Sequence, residues 1–292
     1  MRMAPTATSP VNLAEHRDAR QCWVSKIMRG GAHVSKVDNL RNFNMAWQAA
    51  LKKKVKPILF RNEPQLRPLK LGIGRGAVFS IDRRSQLQLE FGLYESELIP
   101  HYRRQIFPTA IVYDIGAAEG DTAIKFASLV PFGHVFAFEA DETRCQELGQ
   151  NLDYNPELKG RTEIVNVFVA GQGIYKDPGS GERSRKVSID DLVDSGEIPP
   201  PNFVKIDVDG GELEVLRGMR NTMVSCLHRK SLCLIIEVHS PELELSCMDY
   251  LAELGYFVDL VRNAWWRLIW PELRPIGHNR WIMATPLRSS AE

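Results

Sequence analysis

An acid and a glycine-spaced turn make up the first candidate site. Asp114 comes near the end of an apolar run, Gly116 and Gly120 follow, and a helical pattern begins at once. A strand, a tight turn and a helix form a common cradle for nucleotides, because glycine lets the backbone approach a ligand and the helix begins with unpaired N–H groups. Position 118 is alanine, so the G-x-G-x-x-G pattern of dinucleotide-binding turns is absent.

A second acid, Glu139, ends the next apolar run, 25 residues after Asp114. A carboxylate at the end of a second strand can accept hydrogen bonds from both hydroxyls of a ribose. Asp141 or Glu142 can cap the helix that follows, so capping does not require Glu139. The two acids together favour a ligand that contains a nucleoside.

A lysine and an aspartate alternate in the apolar run of residues 202–208. Side chains in a strand alternate with period two, so Lys205 and Asp207 share one face. Because a buried lysine is costly without a partner, we expect the two to form an ion pair. The pair is either structural or part of a ligand site at the end of the strand.

The next apolar run ends in Glu237 and His239, which also share a face. Histidine can act as a general base on a hydroxyl, with Asp207 as the second choice, and a structural histidine is the competing interpretation. Asp207 and Glu237 could hold a divalent ion together, but the sequence does not establish that their strands are neighbours. We therefore predict no metal.

The elements that position these residues alternate along the chain. The patterns predict strands at 110–115, 133–138, 163–170, 202–208, 232–238, 255–261 and 279–284, and helices at 121–130, 142–151, 189–194, 211–224 and 244–254. This order favours a largely parallel sheet with an antiparallel hairpin at one edge. Residues 77–81 and 87–91 are predicted as short strands, 171–186 as a surface loop or a lid, and the tryptophans and arginines of residues 264–281 mostly as core.

The charge is distributed unevenly. The chain has 292 residues and a net charge of +1, but residues 1–70 carry fourteen Lys and Arg against four Asp and Glu. This basic arm, with predicted helices at 13–29 and 38–55, either packs on the acidic remainder or binds an anionic partner. Five scattered cysteines, no long apolar run and no signal pattern predict a cytoplasmic protein without a zinc site or a membrane span.

Several runs within residues 88–285 resemble the FkbM family of S-adenosylmethionine-dependent methyltransferases. They are Gly92-Leu93-Tyr94-Glu95, Val112-Tyr113-Asp114-Ile115-Gly116-Ala117, Phe138-Glu139-Ala140, Ser188-Ile189-Asp190-Asp191-Leu192, Lys205-Ile206-Asp207-Val208-Asp209-Gly210-Gly211-Glu212 and Glu237-Val238-His239. The family commonly has asparagine where Ala118 stands, proline where Ala140 stands, and Glu-Gly-Ala where residues 209–211 stand.

The resemblance implies a Rossmann-like class I methyltransferase fold, in which a seven-stranded, mostly parallel α/β sheet carries helices on both faces. It also implies S-adenosylmethionine as methyl donor and a hydroxyl of a sugar, glycan or natural product as acceptor. We expect a basic N-terminal extension (1–70), a lead-in of strands and a helix (71–109) and the methyltransferase domain (110–286). The expected cofactor-binding residues are Glu95, Asp114, Gly116, Ala117, Gly120, Asp121, Thr122, Glu139 and Asp207, with Asp121 or Thr122 also capping the helix. The candidate catalytic residues are His239, Asp207 and Lys205.

Two other function classes stay open from the sequence. The basic arm would suit a nucleic-acid methyltransferase, although the chain has no Asn-Pro-Pro-Tyr-like motif of amino methylation. A non-catalytic protein that only binds the cofactor is the other class, and the intact motifs argue against it. The acceptor and the oligomeric state do not follow from the sequence.

Overall fold

The structure is a computed structural model, which describes residues 63–171, 173–176, 183–229, 231–263 and 278–286. The predicted helices at 13–29 and 38–55, nearly all of the basic arm, and Trp265 and Trp266 of the tail lie outside these ranges. The predicted domain boundaries at residues 70 and 109 stay predictions. Within the described ranges no helix has the length and apolar character required to span a bilayer.

The strands are β1 (Gln65–Pro68), β2 (Val78–Ile81), β3 (Ile111–Ile115), β4 (His134–Glu139), β5 (Thr162–Asn166), β6 (Phe168–Val169), β7 (Gly173–Lys176), β8 (Arg183–Val187), β9 (Phe203–Ile206), β10 (Cys233–Val238), β11 (Tyr256–Val261) and β12 (Arg280–Pro286). The α-helices are α1 (Leu87–Glu90), α2 (Ile99–Gln105), α3 (Asp121–Leu129), α4 (Glu142–Asp153), α5 (Pro156–Lys159), α6 (Ile189–Asp194), α7 (Glu212–Gly218), α8 (Arg220–His228) and α9 (Pro241–Glu253), and a short 3-10 helix covers Ser96–Leu98.

Seven strands form the central sheet in the order β11-β12-β10-β9-β3-β4-β5. The strands from β10 to β5 run parallel, and β12 lies antiparallel between β10 and β11. Alternate residues of β3 enter two different hydrophobic clusters, Tyr113 with α8 and α9, and Val112 with α2 and α3. Helices therefore cover both faces of the sheet, and the predicted fold class is confirmed.

The lead-in differs from its prediction. Residues 87–91, predicted as a strand, form helix α1, and β1 pairs with β2 instead. The apolar run allowed either assignment, but a turn at Asp82, whose carbonyl accepts from the N–H of Gln86, and an ion pair of Arg83 with Glu90 at 2.6 Å favour the helix. Asn155 of the main domain holds β2 by donating to and accepting from the backbone of Val78, at 2.7 and 2.8 Å.

Two further segments depart from the predicted pattern. The segment 171–186, predicted as a loop, contains β7 and most of β8, which pair antiparallel, while β8 also pairs with β6. The predicted helix 211–224 is divided at Met219 into α7 and α8. The carboxylate of Asp190 accepts from the N–H groups of Asn221 and Thr222, at 2.9 and 2.8 Å, so it satisfies the start of a separate helix.

Candidate functional site

Four acidic residues lie along one edge of the sheet, where β10, β9, β3 and β4 end. Asp114 on β3 is in register with Lys205 on β9, and Glu139 is the last residue of β4. Ile236 is in register with Ile206, so the following residues, Glu237 and Asp207, also come side by side. Ligands of open parallel sheets bind at the carboxyl ends of the strands, so this edge is the candidate site.

Lys205 lies at the centre of this edge, with a side chain only 3% exposed. Its ammonium nitrogen is 3.1 Å from Asp207 Oδ2, 3.9 Å from Asp114 Oδ1 and 5.5 Å from the centre of the Trp281 ring. Burial lowers the pKa of Lys205, but the surrounding carboxylates, Asp207 foremost, outweigh burial and hold the pKa well above its usual value. The predicted pair is thus present, and the lysine keeps its charge.

Asp114 and Glu95 are buried carboxyls that both interact electrostatically with this lysine. Neither oxygen of Asp114 accepts a hydrogen bond from the described part of the chain. Glu95 comes from the lead-in, where its backbone is left-handed, with φ at 52°. Burial raises the pKa of both carboxyls to about 7, although the charge of Lys205 acts in the opposite direction. The structure therefore brings Glu95 to the same site as Asp114.

The turn after β3 is fixed by close packing. The N–H groups of Gly116 and Ala117 both donate to the carbonyl of Phe138, at 2.9 and 3.0 Å. Gly116 has φ at 84°, and a Cβ atom there would lie 2.0 Å from the carbonyl oxygen of Asp207. Only glycine allows this approach, which brings the exit of β9 against the end of β3.

Gly120 and the two residues after it begin helix α3. Gly120 has a left-handed backbone and is itself the N-cap, without a side-chain cap, so the prediction that Asp121 or Thr122 caps the helix is wrong. The carboxylate of Asp121 instead contacts the ammonium of Lys125 at 2.9 Å, and Thr122 is buried. A Cβ atom on Gly120 would lie 1.9 Å from Leu148 Cδ1, so this glycine serves helix packing.

The carboxylate of Glu139 is held by backbone donors. Its Oε1 accepts from the N–H groups of Ala140 and Asp141, and its Oε2 accepts from Ala118, all at 2.8 to 2.9 Å. Asp141 caps α4 by accepting from Arg144 at 3.0 Å, as its position in the sequence predicts. Oε2 carries one of these three bonds, so it keeps a lone pair for a hydroxyl donor.

His239 follows β10 and is oriented by an acid that the sequence analysis did not single out. Its Nδ1 lies 2.6 Å from Oε1 of Glu212, a fully buried residue in the first turn of α7. Its Nε2 lies 3.8 Å from the nearest oxygens of both Asp207 and Asp209. The hydrogen bond with Glu212 raises the pKa of His239 above its usual value, more than burial lowers it.

The described part of the tail is structural. Trp281 is 2% exposed and belongs to the hydrophobic core, as the sequence predicts. His278 and Arg280 both contact the carboxylate of Glu244, at 2.9 and 3.0 Å. The role of Glu212 could have been suspected from the sequence, because the glycine pair before it ends a strand and begins a helix at the edge where His239 also lies.

Comparison with known proteins matches residues 114–258 to the methyltransferase FkbM domain. The hexuronic acid methyltransferase AglP of Haloferax volcanii is 32% identical over 142 residues, which are 44% of this chain and 56% of AglP. The chain thus matches little more than half the length of this relative.

Solved structures of methyltransferases match more weakly. A precorrin-6Y C5,15-methyltransferase from Geobacter metallireducens is 16% identical with a TM-score of 0.44, covering 67% of this chain and 88% of its own. An S-adenosylmethionine-dependent O-methyltransferase from Thermotoga maritima is 13% identical with a TM-score of 0.44, covering 79% and 80%. The match to the FkbM domain and the identity to AglP together support an FkbM family methyltransferase.

Proposed function

We propose that the chain is an S-adenosylmethionine-dependent methyltransferase that methylates a hydroxyl oxygen of a sugar or glycan. The observation that carries the proposal is the row of acids at the carboxyl ends of four neighbouring strands, Asp114, Glu139, Asp207 and Glu237. The match to the FkbM methyltransferase domain supports methyl transfer, and a relative described as a hexuronic acid methyltransferase supports a sugar acceptor.

The residues of this edge fit the cofactor. Asp114 is a buried carboxylate without a hydrogen-bond donor in the described ranges, which suits the positively charged amino group. Glu139 is fixed by three backbone donors and suits the ribose hydroxyls. When bound, S-adenosylmethionine supplies an electrophilic methyl group on a positively charged sulfur. Glu95 and Asp207 add negative charge close to the same place.

The turn around α3 completes the binding surface. The N–H groups of Gly116 and Ala117 donate to the carbonyl of Phe138, so these residues would contact the ligand through backbone atoms other than those N–H groups. Gly120, Asp121 and Thr122 set the start of the helix beside that surface. We assign these five residues to the cofactor side of the site by their place in the turn.

Methylation of a hydroxyl requires removal of one proton, and His239 is our first choice for this role. The hydrogen bond of Nδ1 with Glu212 leaves Nε2 as the acceptor, which faces Asp207 and Asp209. The raised pKa makes the imidazole a stronger base. Asp207 is the second candidate. Lys205 retains its proton, so its role is to hold Asp207 and Asp114 in place.

Calorimetry and a transfer assay with labelled cofactor test the proposal. Glu139→Gln should weaken binding of S-adenosylmethionine about tenfold, the loss of one charge-assisted hydrogen bond, while Glu147→Gln at an exposed position should not. His239→Ala should keep cofactor binding but slow single-turnover methylation about a hundredfold or more, with exposed His228→Ala as control.

The acceptor is tested with hexuronic acids, neutral hexoses and extracts divided into glycan, lipid, small-molecule and RNA pools. Label in the glycan or sugar pools supports the proposal. Label in RNA would favour the nucleic-acid methyltransferase instead. Bound cofactor without transfer to any pool would favour a protein that only binds the cofactor.

A further inference from the structure

Three side chains at the exit of β9 and β10 lie close enough together to be candidate ligands of one metal ion. One oxygen each of Asp207 and Glu237 and one nitrogen of His239 all lie within 4.8 Å of one another. Ligands on opposite sides of one metal ion are about 4.4 Å apart, since each lies about 2.2 Å from it. The sequence alone could not join these residues, because it did not show that β9 and β10 are neighbours, which their register establishes.

The orientation of His239 is a second, independent observation. The buried carboxylate of Glu212 lies 2.6 Å from Nδ1, and the N–H of Gly210 holds that carboxylate at 3.1 Å. Metal-binding histidines almost always have such a partner, which fixes the ring and leaves the other nitrogen for the metal. Here Nε2 is the nitrogen that faces Asp207.

The charges around the three side chains also suit a cation. Asp207 contacts Lys205 through Oδ2 at 3.1 Å, and its Oδ1 lies 3.8 Å from Nε2 of His239. Asp209 is 86% exposed and places a further oxygen 3.8 Å from the same Nε2. It provides either a fourth ligand or a negatively charged entrance.

We propose that Asp207, Glu237 and His239 bind one divalent metal ion of the Mn²⁺ type, and that this ion holds two neighbouring oxygen atoms of the methyl acceptor. Two carboxylates and one imidazole suit divalent first-row metals, and three protein ligands leave open positions for oxygen atoms. A vicinal diol, or a hydroxyl beside a carboxylate, supplies such a pair. The second half of the proposal rests on the proposed function, but the first half does not.

Metal binding changes the role of His239. The lone pair on Nε2 either binds the metal or accepts the acceptor's proton. With the ion bound, the metal-held hydroxyl gives its proton to water or to the exposed carboxylate of Asp209. The proposed function requires Nε2 of His239 to accept a proton, whereas the metal site requires the same nitrogen to bind the ion. An experiment can distinguish these two roles.

The test is titration of the purified full chain, stripped with a chelator, with Mn²⁺, observed by the paramagnetic resonance signal of free Mn²⁺. We expect one ion per chain, with affinity reduced at least tenfold in Glu237→Gln and His239→Gln. Glu212→Gln should weaken binding about 10- to 100-fold by releasing the ring. Exposed Glu253→Gln is the matched control and should bind as the wild type does.

Circular dichroism and cofactor calorimetry establish that each variant is folded. Wild-type protein that binds no Mn²⁺ at millimolar concentration overturns the metal site and leaves His239 as the base. Equal affinity for Mn²⁺ in the wild type, Glu237→Gln and His239→Gln would show that the ion binds elsewhere, and would overturn the assignment of these ligands. Metal binding without any transfer to sugars supports the site but contradicts the proposed function. Metal-dependent affinity for diols or hydroxy acids, absent in Glu237→Gln, supports both halves.

Discussion

Asp114 should make the stability of the cofactor-free protein depend on pH. Burial raises its pKa to about 7 from an ordinary value of 3.8. Between these values the folded protein keeps a proton that the unfolded chain releases, so the free energy of unfolding falls as pH rises. At about 1.4 kcal/mol per pKa unit, the loss from pH 5 to pH 8 is on the order of 2 to 3 kcal/mol.

The substitution Asp114→Asn keeps the shape and removes the titration. Urea unfolding followed by circular dichroism at pH 5 and pH 8 gives the free energy of unfolding of both proteins. We expect the free energy of unfolding of the wild type to fall by roughly 2 to 3 kcal/mol more than that of the variant between the two pH values. Exposed Asp194→Asn controls for general charge effects. A difference between wild type and Asp114→Asn that is the same at both pH values would refute the reasoning.

Three further variants test the packing around the site by urea unfolding. Gly116→Ala should destabilise the fold by about 3 kcal/mol or more, because its Cβ would meet the Asp207 carbonyl at 2.0 Å; a near-neutral effect would contradict the close approach. Ala118→Gly should be neutral or stabilise by about 1 kcal/mol, since Ala118 has φ at 46°, and clear destabilisation would exclude this conformation. Asn155→Ala should cost about 2 kcal/mol by removing both bonds to Val78, and unchanged stability would mean that β2 is held otherwise.

The inner strands of the central sheet could be predicted because they are buried on both faces. Such strands appear as apolar runs, and in this chain each run that reaches the site ends in charged residues, as with Asp114 and Glu139. The period-two rule then placed Lys205 with Asp207, and the structure has them 3.1 Å apart. These inferences required only neighbours in sequence and the geometry of a strand.

The features that could not be predicted from the sequence depend on contacts between segments that are distant in the chain. The pairing of Glu212 with His239 joins residues 27 positions apart across two elements. The division of α7 from α8 depends on Asp190. Its carboxylate accepts hydrogen bonds from the N–H groups of Asn221 and Thr222, which lie 31 and 32 positions later in the chain. Neither follows from periodicity, because the sequence does not state which helix start meets which side chain.

At one edge of the sheet, buried charged residues stand where apolar residues would stabilise the fold better. Along β3 and β9 every side chain except the half-buried Ile111 is buried, and the apolar pattern is interrupted at Asp114 and Lys205, which lie in register. An apolar pair there would avoid the desolvation cost that the raised pKa of Asp114 expresses. Since functional sites are where sequences depart from locally optimal choices, this interruption marks the site more sharply than the glycine turn does. Both glycines of that turn are explained by their left-handed backbone and by close contacts with Asp207 and Leu148, whereas packing alone does not require a buried carboxylate at position 114.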